Sequence, residues 1–279
     1  MKFFTYLKRF FLYIKNGPNI VKNTTADIYY LSPSNKLLGK KIIITGGGRG
    51  LGYAMAKRFI SEGAEVLIAG RNEMLLADKA TELNCKYLRL DVQEVDDFEK
   101  FIMDAHCILG GINCIVNNAG ISLHEGNIRN VNSEQFDSQI NTNLRGGYFL
   151  SQKFIEYFEK NHLKHGNILF VSSERGTFVD DLPYGLSKAA VNSLIKGLAY
   201  RVIKSGIRVN GIAPGVTTSD MTGFKEDENL YVSWNPNERV YLPEEVAEIA
   251  CFLLSDAANC LSGQILECNE SKSSNTHWK

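Results

Sequence analysis

The amino-acid sequence predicts an α/β protein in which a parallel, seven-stranded sheet lies between two layers of helices. Three observations carry this expectation. From about Lys40 onward, short runs rich in Ile, Val and Leu alternate with longer stretches of helical period. Those runs show little polar alternation, as strands covered on both faces do. The chain has 279 residues, 44% of them hydrophobic and 22% charged, which suits one large core in a folded globular protein.

The elements follow in order. Residues 1–39 precede the first strand as a basic, aromatic extension, a domain is expected over 40–268, and 269–279 form a polar tail. In MKFFTYLKRFFLYIKN, Lys8 and Arg9 interrupt the apolar run and no small-residue cleavage site follows, so it is not read as a secretory signal. It is also too short and too charged to span a bilayer. On a helix, Phe3, Phe4, Leu7, Phe10, Phe11 and Ile14 share one broad face, with Lys2, Lys8, Arg9 and Lys15 largely elsewhere. Two readings stand: an arm packed on its own domain or a partner subunit, or a peripheral membrane contact through residues 1–16.

Strands are predicted at Lys41–Thr45, Glu65–Ala69, Lys86–Leu90, Asn113–Asn117, Asn167–Ser172, Arg208–Ile212 and Gln264–Glu267. Helices are predicted near Gly50–Ser61, Glu73–Leu83, Asp96–Leu109, Ser133–Asn161, Tyr184–Lys204 and Pro243–Ser255. Val216–Val240 breaks the rhythm, with Phe224, Tyr231 and Trp234 among polar residues; it reads as a mobile lid or as a surface loop. The tail after Glu267 is expected to fray.

Lys plus Arg equals Asp plus Glu at 31 each, so no global field favours nucleic acid. The six cysteines, Cys85, Cys107, Cys114, Cys251, Cys260 and Cys268, form no C-x-x-C pair and no zinc-ligand spacing. Buried free thiols, a reducing cytoplasm and no bound metal are the expectation.

After the first strand comes Gly46-Gly-Gly-Arg-Gly-Leu-Gly52, and a helix follows. A tight turn needs glycine where φ is positive, a pyrophosphate close to the backbone tolerates no side chain, and helix N-terminal amides bind phosphates. Placed between strand and helix, the motif predicts dinucleotide binding through Gly46, Gly48, Arg49, Gly50, Leu51 and Gly52, in a Rossmann-type three-layer α/β/α fold. The second strand ends in Ala69-Gly70-Arg71-Asn72, with no acid to hold a ribose 2′-hydroxyl. Arg71 and Arg49 instead offer guanidinium groups for a 2′-phosphate, which selects NADP(H).

Tyr184-Gly-Leu-Ser-Lys188 places a phenol and an ammonium four residues apart at a helix start, hence on one face. A free Tyr has a pKa near about 10, and a neighbouring positive charge favours the phenolate. The strand NILFV ends in Ser172-Ser173 at its carboxyl edge, where open α/β sheets bind ligands; the serines either polarise a substrate carbonyl or begin a turn.

The set TGGGRGLG, Asn117-Asn-Ala-Gly120, Ser173, YGLSK and Pro214-Gly215 resembles the short-chain dehydrogenase/reductase family, from about Lys40 to Glu267, and is similar to 3-oxoacyl-carrier-protein reductases. The resemblance implies that Tyr184 is the proton donor or acceptor, that Lys188 binds the nicotinamide ribose and lowers the Tyr pKa, and that Ser173 orients the substrate carbonyl. It implies that Asn143, in INTNLRGG, holds a water in the proton relay. Asp91 would flank the adenine, Asn118, Ala119 and Gly120 would line the cofactor cleft, Val216 and Ser219 would meet the carboxamide, and Val92, Pro214 and Gly215 beside them are implied to bind cofactor as well. Ser219 replaces the usual threonine, and Cys268-Asn269-Glu270 replaces the usual acidic-Gly-Gly ending. A homodimer or homotetramer is implied as well.

The function expected is an NADPH-dependent oxidoreductase that interconverts a ketone and a secondary alcohol by hydride transfer, with a small carbonyl or alcohol as substrate. A nucleotide-sugar epimerase or dehydratase relative, and a non-catalytic NADPH-binding sensor, are the alternatives. A 3-oxoacyl thioester is the default substrate, with sugar, polyol and steroid ketones open. Asp180-Asp181, beside Tyr184, would disfavour an anionic substrate unless they are solvated loop carboxylates, the reading preferred.

Overall fold

The structure is a computed structural model, and it describes residues 23–25 and 35–274. One parallel sheet holds seven strands in the order β3-β2-β1-β4-β5-β6-β7. They are β1 (Lys41–Thr45), β2 (Glu65–Gly70), β3 (Lys86–Arg89), β4 (Cys114–Asn117), β5 (Gly166–Val171), β6 (Ile207–Pro214) and β7 (Ile265–Cys268). The α-helices are α1 (Gly50–Ser61), α2 (Glu73–Leu83), α3 (Phe98–Leu109), α4 (Ser133–Ile140), α5 (Gly146–Lys160), α6 (Pro183–Val202) and α7 (Pro243–Leu254). This is the Rossmann-type three-layer fold that the sequence predicts, and strand ends differ from expectation by one or two residues.

Strand residues alternate between the two helix layers. Ile42 and Ile44 face a core shared with Met55, Phe59 and Leu254, whereas Ile43 faces one shared with Phe98, Phe154, Phe158 and Ile195. Both faces are therefore dry, which explains the near-continuous apolar strands. Local signals set the helix ends. Asn72 accepts from the Leu75 amide at 3.1 Å, Asn132 and Gln135 form a reciprocal cap, and Pro183 and Pro243 open α6 and α7.

The single helix expected over Ser133–Asn161 is corrected. Between α4 and α5 the chain makes a π-helical turn over Asn141–Arg145. The loop after β3 presses on it: Gln93 Nε2 donates to Thr142 Oγ1 at 3.0 Å, and Arg145 Nη1 donates to the Gln93 carbonyl at 3.0 Å. The turn adds a residue to the helical path and turns Asn143 inward, where it is buried. Gly146 then passes so close to the Val92 carbonyl that a Cβ would strike it.

Two further expectations are corrected. The tail is not frayed over 269–274, because Asn269 is 1% exposed and Lys272 ion-pairs at 2.8 Å with a buried carboxylate. The six thiols are free, but only Cys114 and Cys251 are buried, and Cys107 and Cys260 are exposed. Burial pushes Cys85, Cys114, Cys251 and Cys268 up to about 11, so these four stay protonated. Residues 216–242 have their own small core of Leu230, Val232, Val240 and Leu242, pinned to α7 by a two-bond Arg239–Glu245 fork at 2.8 and 2.5 Å. Of the lid's three aromatics only Trp234 is exposed. The amphipathic segment 1–16 lies outside the described residues, and among those described no helix is long and apolar enough to cross a membrane.

The Gly146 contact is testable. Gly146→Ala forces the π-turn away from Val92 and is expected to cost about 2 kcal/mol or more. In a domain of this size that lowers Tm by roughly 5 °C. A thermal melt unchanged from the parent would show that the approach is not tight.

Candidate active site

The strand order reverses between β1 and β4, and the crevice outside their carboxyl ends is where open α/β sheets hold ligands. The sequence-singled residues gather there. Gly46 sits at φ +65° and Gly50 at φ +50°, in the left-handed region that favours glycine. A Cβ on Gly47 would come within 2.7 Å of Ile68, and one on Gly52 would strike the Gly46 carbonyl. The turn is packed from below and stays bare above. Thr45, which the sequence reading passed over, and Asn118 hold it. Thr45 Oγ1 accepts from the Asn118 and Ala119 amides at 3.0 Å each, and Asn118 Nδ2 donates to the Thr45 and Gly46 carbonyls at 2.8 and 3.2 Å.

Arg49 and Arg71 are both exposed, Arg71 immediately after β2. Arg49 donates to Asp220 at 3.3 Å, a partner 171 residues away that sequence reading did not supply. Asp91 Oδ1 accepts from the Gln93 amide at 3.0 Å, capping its own turn, and Val92 is buried against Gly146. Pro214 ends β6, Gly215 donates its amide to the Cys268 carbonyl at 2.9 Å, and Val216 packs on the lid core. Ser219 turns back so that a Cβ on Gly50 would lie 3.7 Å from its own Cβ. The 216–242 segment therefore borders the glycine turn.

Across Gly120 lie Asn143 and Lys188; a Cβ on Gly120 would be 3.3 Å from Asn143 Oδ1 and 3.5 Å from Lys188 Nζ. Asn143 uses its whole side chain. Oδ1 accepts from the Ile121 amide at 2.8 Å, while Nδ2 donates to the Ile121 carbonyl at 2.9 Å and to Ser187 at 3.1 Å. Lys188 is 4% exposed and donates to the Val171 carbonyl at 2.8 Å, with its Nζ 5.7 Å from the Tyr184 ring centroid.

The two serines separate cleanly. Ser172 is structural, donating to Asn192 at 2.6 Å and to the Lys188 carbonyl at 3.3 Å. Ser173 both begins a turn, accepting from the Arg175 amide at 3.2 Å, and lies beside the Tyr184 phenol. Burial raises the Tyr184 pKa above its ordinary value, Ser173 and Arg175 lower it and Glu174 raises it, with the upward effects winning. Burial governs both groups, and it lowers Lys188 to about 8. Asp180 also departs from expectation. Its side chain is 4% exposed and ion-paired to Arg175 at 2.5 Å, so only Asp181 is a solvated loop carboxylate.

The comparisons with known proteins agree with this geometry. The family model described as enoyl-(acyl carrier protein) reductase matches residues 46–270. The chain belongs to the short-chain dehydrogenase/reductase family. Among reductases of this family, the 3-oxoacyl-(acyl-carrier-protein) reductase of Chlamydia pneumoniae is 33% identical over 243 residues, covering 82% of this chain and 95% of that one. Versicolorin reductase 1 of Dothistroma septosporum is 29% identical, covering 83% and 95%. The crystal structure of the 3-ketoacyl-(acyl-carrier-protein) reductase of Brucella melitensis complexed with NADH superposes with a TM-score of 0.78 at 30% identity, covering 85% of this chain and 99% of that one. The protein is thus an oxidoreductase of a family that uses a nicotinamide cofactor.

Burial of Lys188 has a pH signature. Its folded pKa of about 8 lies below the ordinary 10.5, so the charged lysine costs stability fully below pH 8, and that cost fades as pH rises from 8 towards 10.5. Lys188→Met is expected to raise stability at pH 7 by a net of about 2 kcal/mol, after allowing for the donor lost to the Val171 carbonyl. The gain should vanish by about pH 10, where the native lysine is already neutral. Melts at both pH values check this, and a gain equal at both would contradict it.

Proposed function

We propose that this short-chain dehydrogenase/reductase is an NADP(H)-dependent ketone reductase, able to run in reverse on the secondary alcohol, with Tyr184 as the proton donor. The observation that supports it most is the meeting of the Ser173 and Tyr184 hydroxyls at the sheet's carboxyl edge, with buried Lys188 and Asn143 across Gly120 from the glycine turn.

The residues present fit a dinucleotide. At Gly46, Gly47 and Gly52 the turn has no room for a side chain, and α1 starts at Gly50 within it. Two exposed guanidinium groups, Arg49 and Arg71, and no carboxylate directly after β2 favour the 2′-phosphorylated form. Asp220 competes for Arg49, so a bound 2′-phosphate would displace it. When bound, the cofactor supplies or accepts the hydride.

The chain's own residues do the rest. Ser173 donates a hydrogen bond to the substrate oxygen, and Tyr184 gives that oxygen a proton as its charge grows. The raised Tyr184 pKa keeps the phenol protonated and ready to donate. Lys188 holds positive charge beneath the site below pH about 8. Asn143 has spent its side chain on Ile121 and Ser187, so a relay water would meet its main-chain carbonyl. Asp180 is neutralised by Arg175, which removes the objection to an anionic substrate, and the names of the relatives favour a 3-oxoacyl thioester.

Tyr184→Phe is expected to lower kcat by about a hundredfold to ten-thousandfold while leaving NADPH binding intact. NADPH absorbance followed against 3-oxoacyl thioesters, keto sugars and steroid ketones reads this, and undiminished turnover in the mutant would sink the mechanism. Replacing Arg49 and Arg71 together by Gln should raise the NADPH KM by roughly tenfold or more with little change for NADH. An equal effect on both cofactors would count against 2′-phosphate recognition.

A further inference from the structure

Glu174 follows Ser173 directly and opens a short turn, Glu174–Gly176. Its side chain is 5% exposed, yet only one carboxylate oxygen is bonded: Oε1 accepts from Lys272 Nζ at 2.8 Å, and Oε2 has no hydrogen-bond partner among the described residues. A buried carboxylate so placed depends on its counter-ion. Lys272 reaches it from the far end of the chain, 98 residues away. The segment that delivers it is fixed, because the Lys272 amide donates to the Asn269 carbonyl at 3.1 Å and Asn269 Nδ2 donates to Ser273 at 2.9 Å. Asn269 itself is buried against Gly215.

The same ammonium lies 4.6 Å from the centroid of the Trp234 ring, in the lid. On the turn's other side, Arg175 is held by Asp180 at 2.5 Å, and Gly176 packs so closely on α6 that a Cβ would lie 2.7 Å from the Lys188 backbone. The turn that presents Ser173 is thus gripped at each of its three residues, and the Lys272 grip also touches Trp234 of the 216–242 segment. We propose that Lys272 is a positioning residue: through Glu174 it fixes the turn that presents the Ser173 hydroxyl, and through Trp234 it holds the lid hairpin to that turn.

The proposal rests on the reductase reading insofar as Ser173 acts on substrate. Removing the Lys272 charge strands a buried carboxylate, which moves towards water and carries Ser173 with it. Removing both charges leaves a neutral, packable pair and restores the turn, but not the contact with Trp234.

The test uses the full chain with Trp278→Phe, which leaves Trp234 as the only tryptophan of the two in the sequence. Lys272→Met, Lys272→Arg and the double variant Glu174→Gln/Lys272→Met are compared for kcat, KM, NADPH affinity and Trp234 emission. Lys272→Met is expected to lower kcat by about tenfold to a hundredfold and to shift the emission. Lys272→Arg should keep both near the parent's values. The double variant should recover most of kcat yet retain the altered emission and a raised KM, with NADPH affinity unchanged throughout. Lys272→Met matching the parent in kcat and KM would overturn the proposal, and so would a double variant no better than the single one. A parent that turns over no carbonyl would overturn the reductase reading and the catalytic consequence with it, while emission unmoved by Lys272→Met would overturn the lid contact itself.

Discussion

The hinge of the architecture is the joint between β1 and β4, where neighbouring strands leave the sheet towards opposite helix layers. Parting strands strand their backbone groups, and four hydrogen bonds through two side chains take them up: Thr45 Oγ1 receives the Asn118 and Ala119 amides, and Asn118 Nδ2 closes on the Thr45 and Gly46 carbonyls. The crevice is held at fixed width as a result. Gly120, which Asn143 and Lys188 approach, and the loop at Ile121 lie directly beyond that joint.

Burial is the main electrostatic influence in the site. It raises Tyr184 and lowers Lys188, so it penalises the charged form of each. An anion set close to Lys188 would raise its pKa again and keep it charged above about pH 8, which makes the pair responsive to what occupies the crevice. The two charged residues that follow Ser173 differ in kind. Glu174 and Arg175 are each bound to a carboxylate or ammonium from another part of the chain, so they stiffen the loop without adding net charge to it.

How much of this was legible in the sequence follows the range of the interactions. The strands, the glycine turn, the starts of the helices at Glu73 and Ser133 and the Tyr184–Lys188 pair depend on residues a few positions apart, and the pattern records them directly. The Asp180–Arg175 pair was within reach too, since the residues are five apart, but two adjacent acids beside a turn read as solvated. Arg49 with Asp220 and Glu174 with Lys272 were not readable, because nothing local marks partners brought together by the sheet. The polar composition of 269–274 suggested solvent, whereas Asn269 is buried for its shape against Gly215. The net rise in the Tyr184 pKa was not readable for a related reason: spacing shows which charge is near, not how much water has been removed.

The π-helical turn at Asn141–Arg145 escaped the pattern because helical period is intact on both sides of it. It has an effect on phase. One residue added to an α-helix rotates everything beyond it by about 100°, so α4 and α5 share an axis while presenting faces that are out of step. Leu150, Phe154, Tyr157 and Phe158 are the α5 residues buried in the core in this rotated frame. Deleting a single residue from the turn would leave a straighter and locally better-bonded helix whose oily stripe points sideways. The length of this segment is therefore a gear tooth: shortening it by one improves the helix and misaligns the machine.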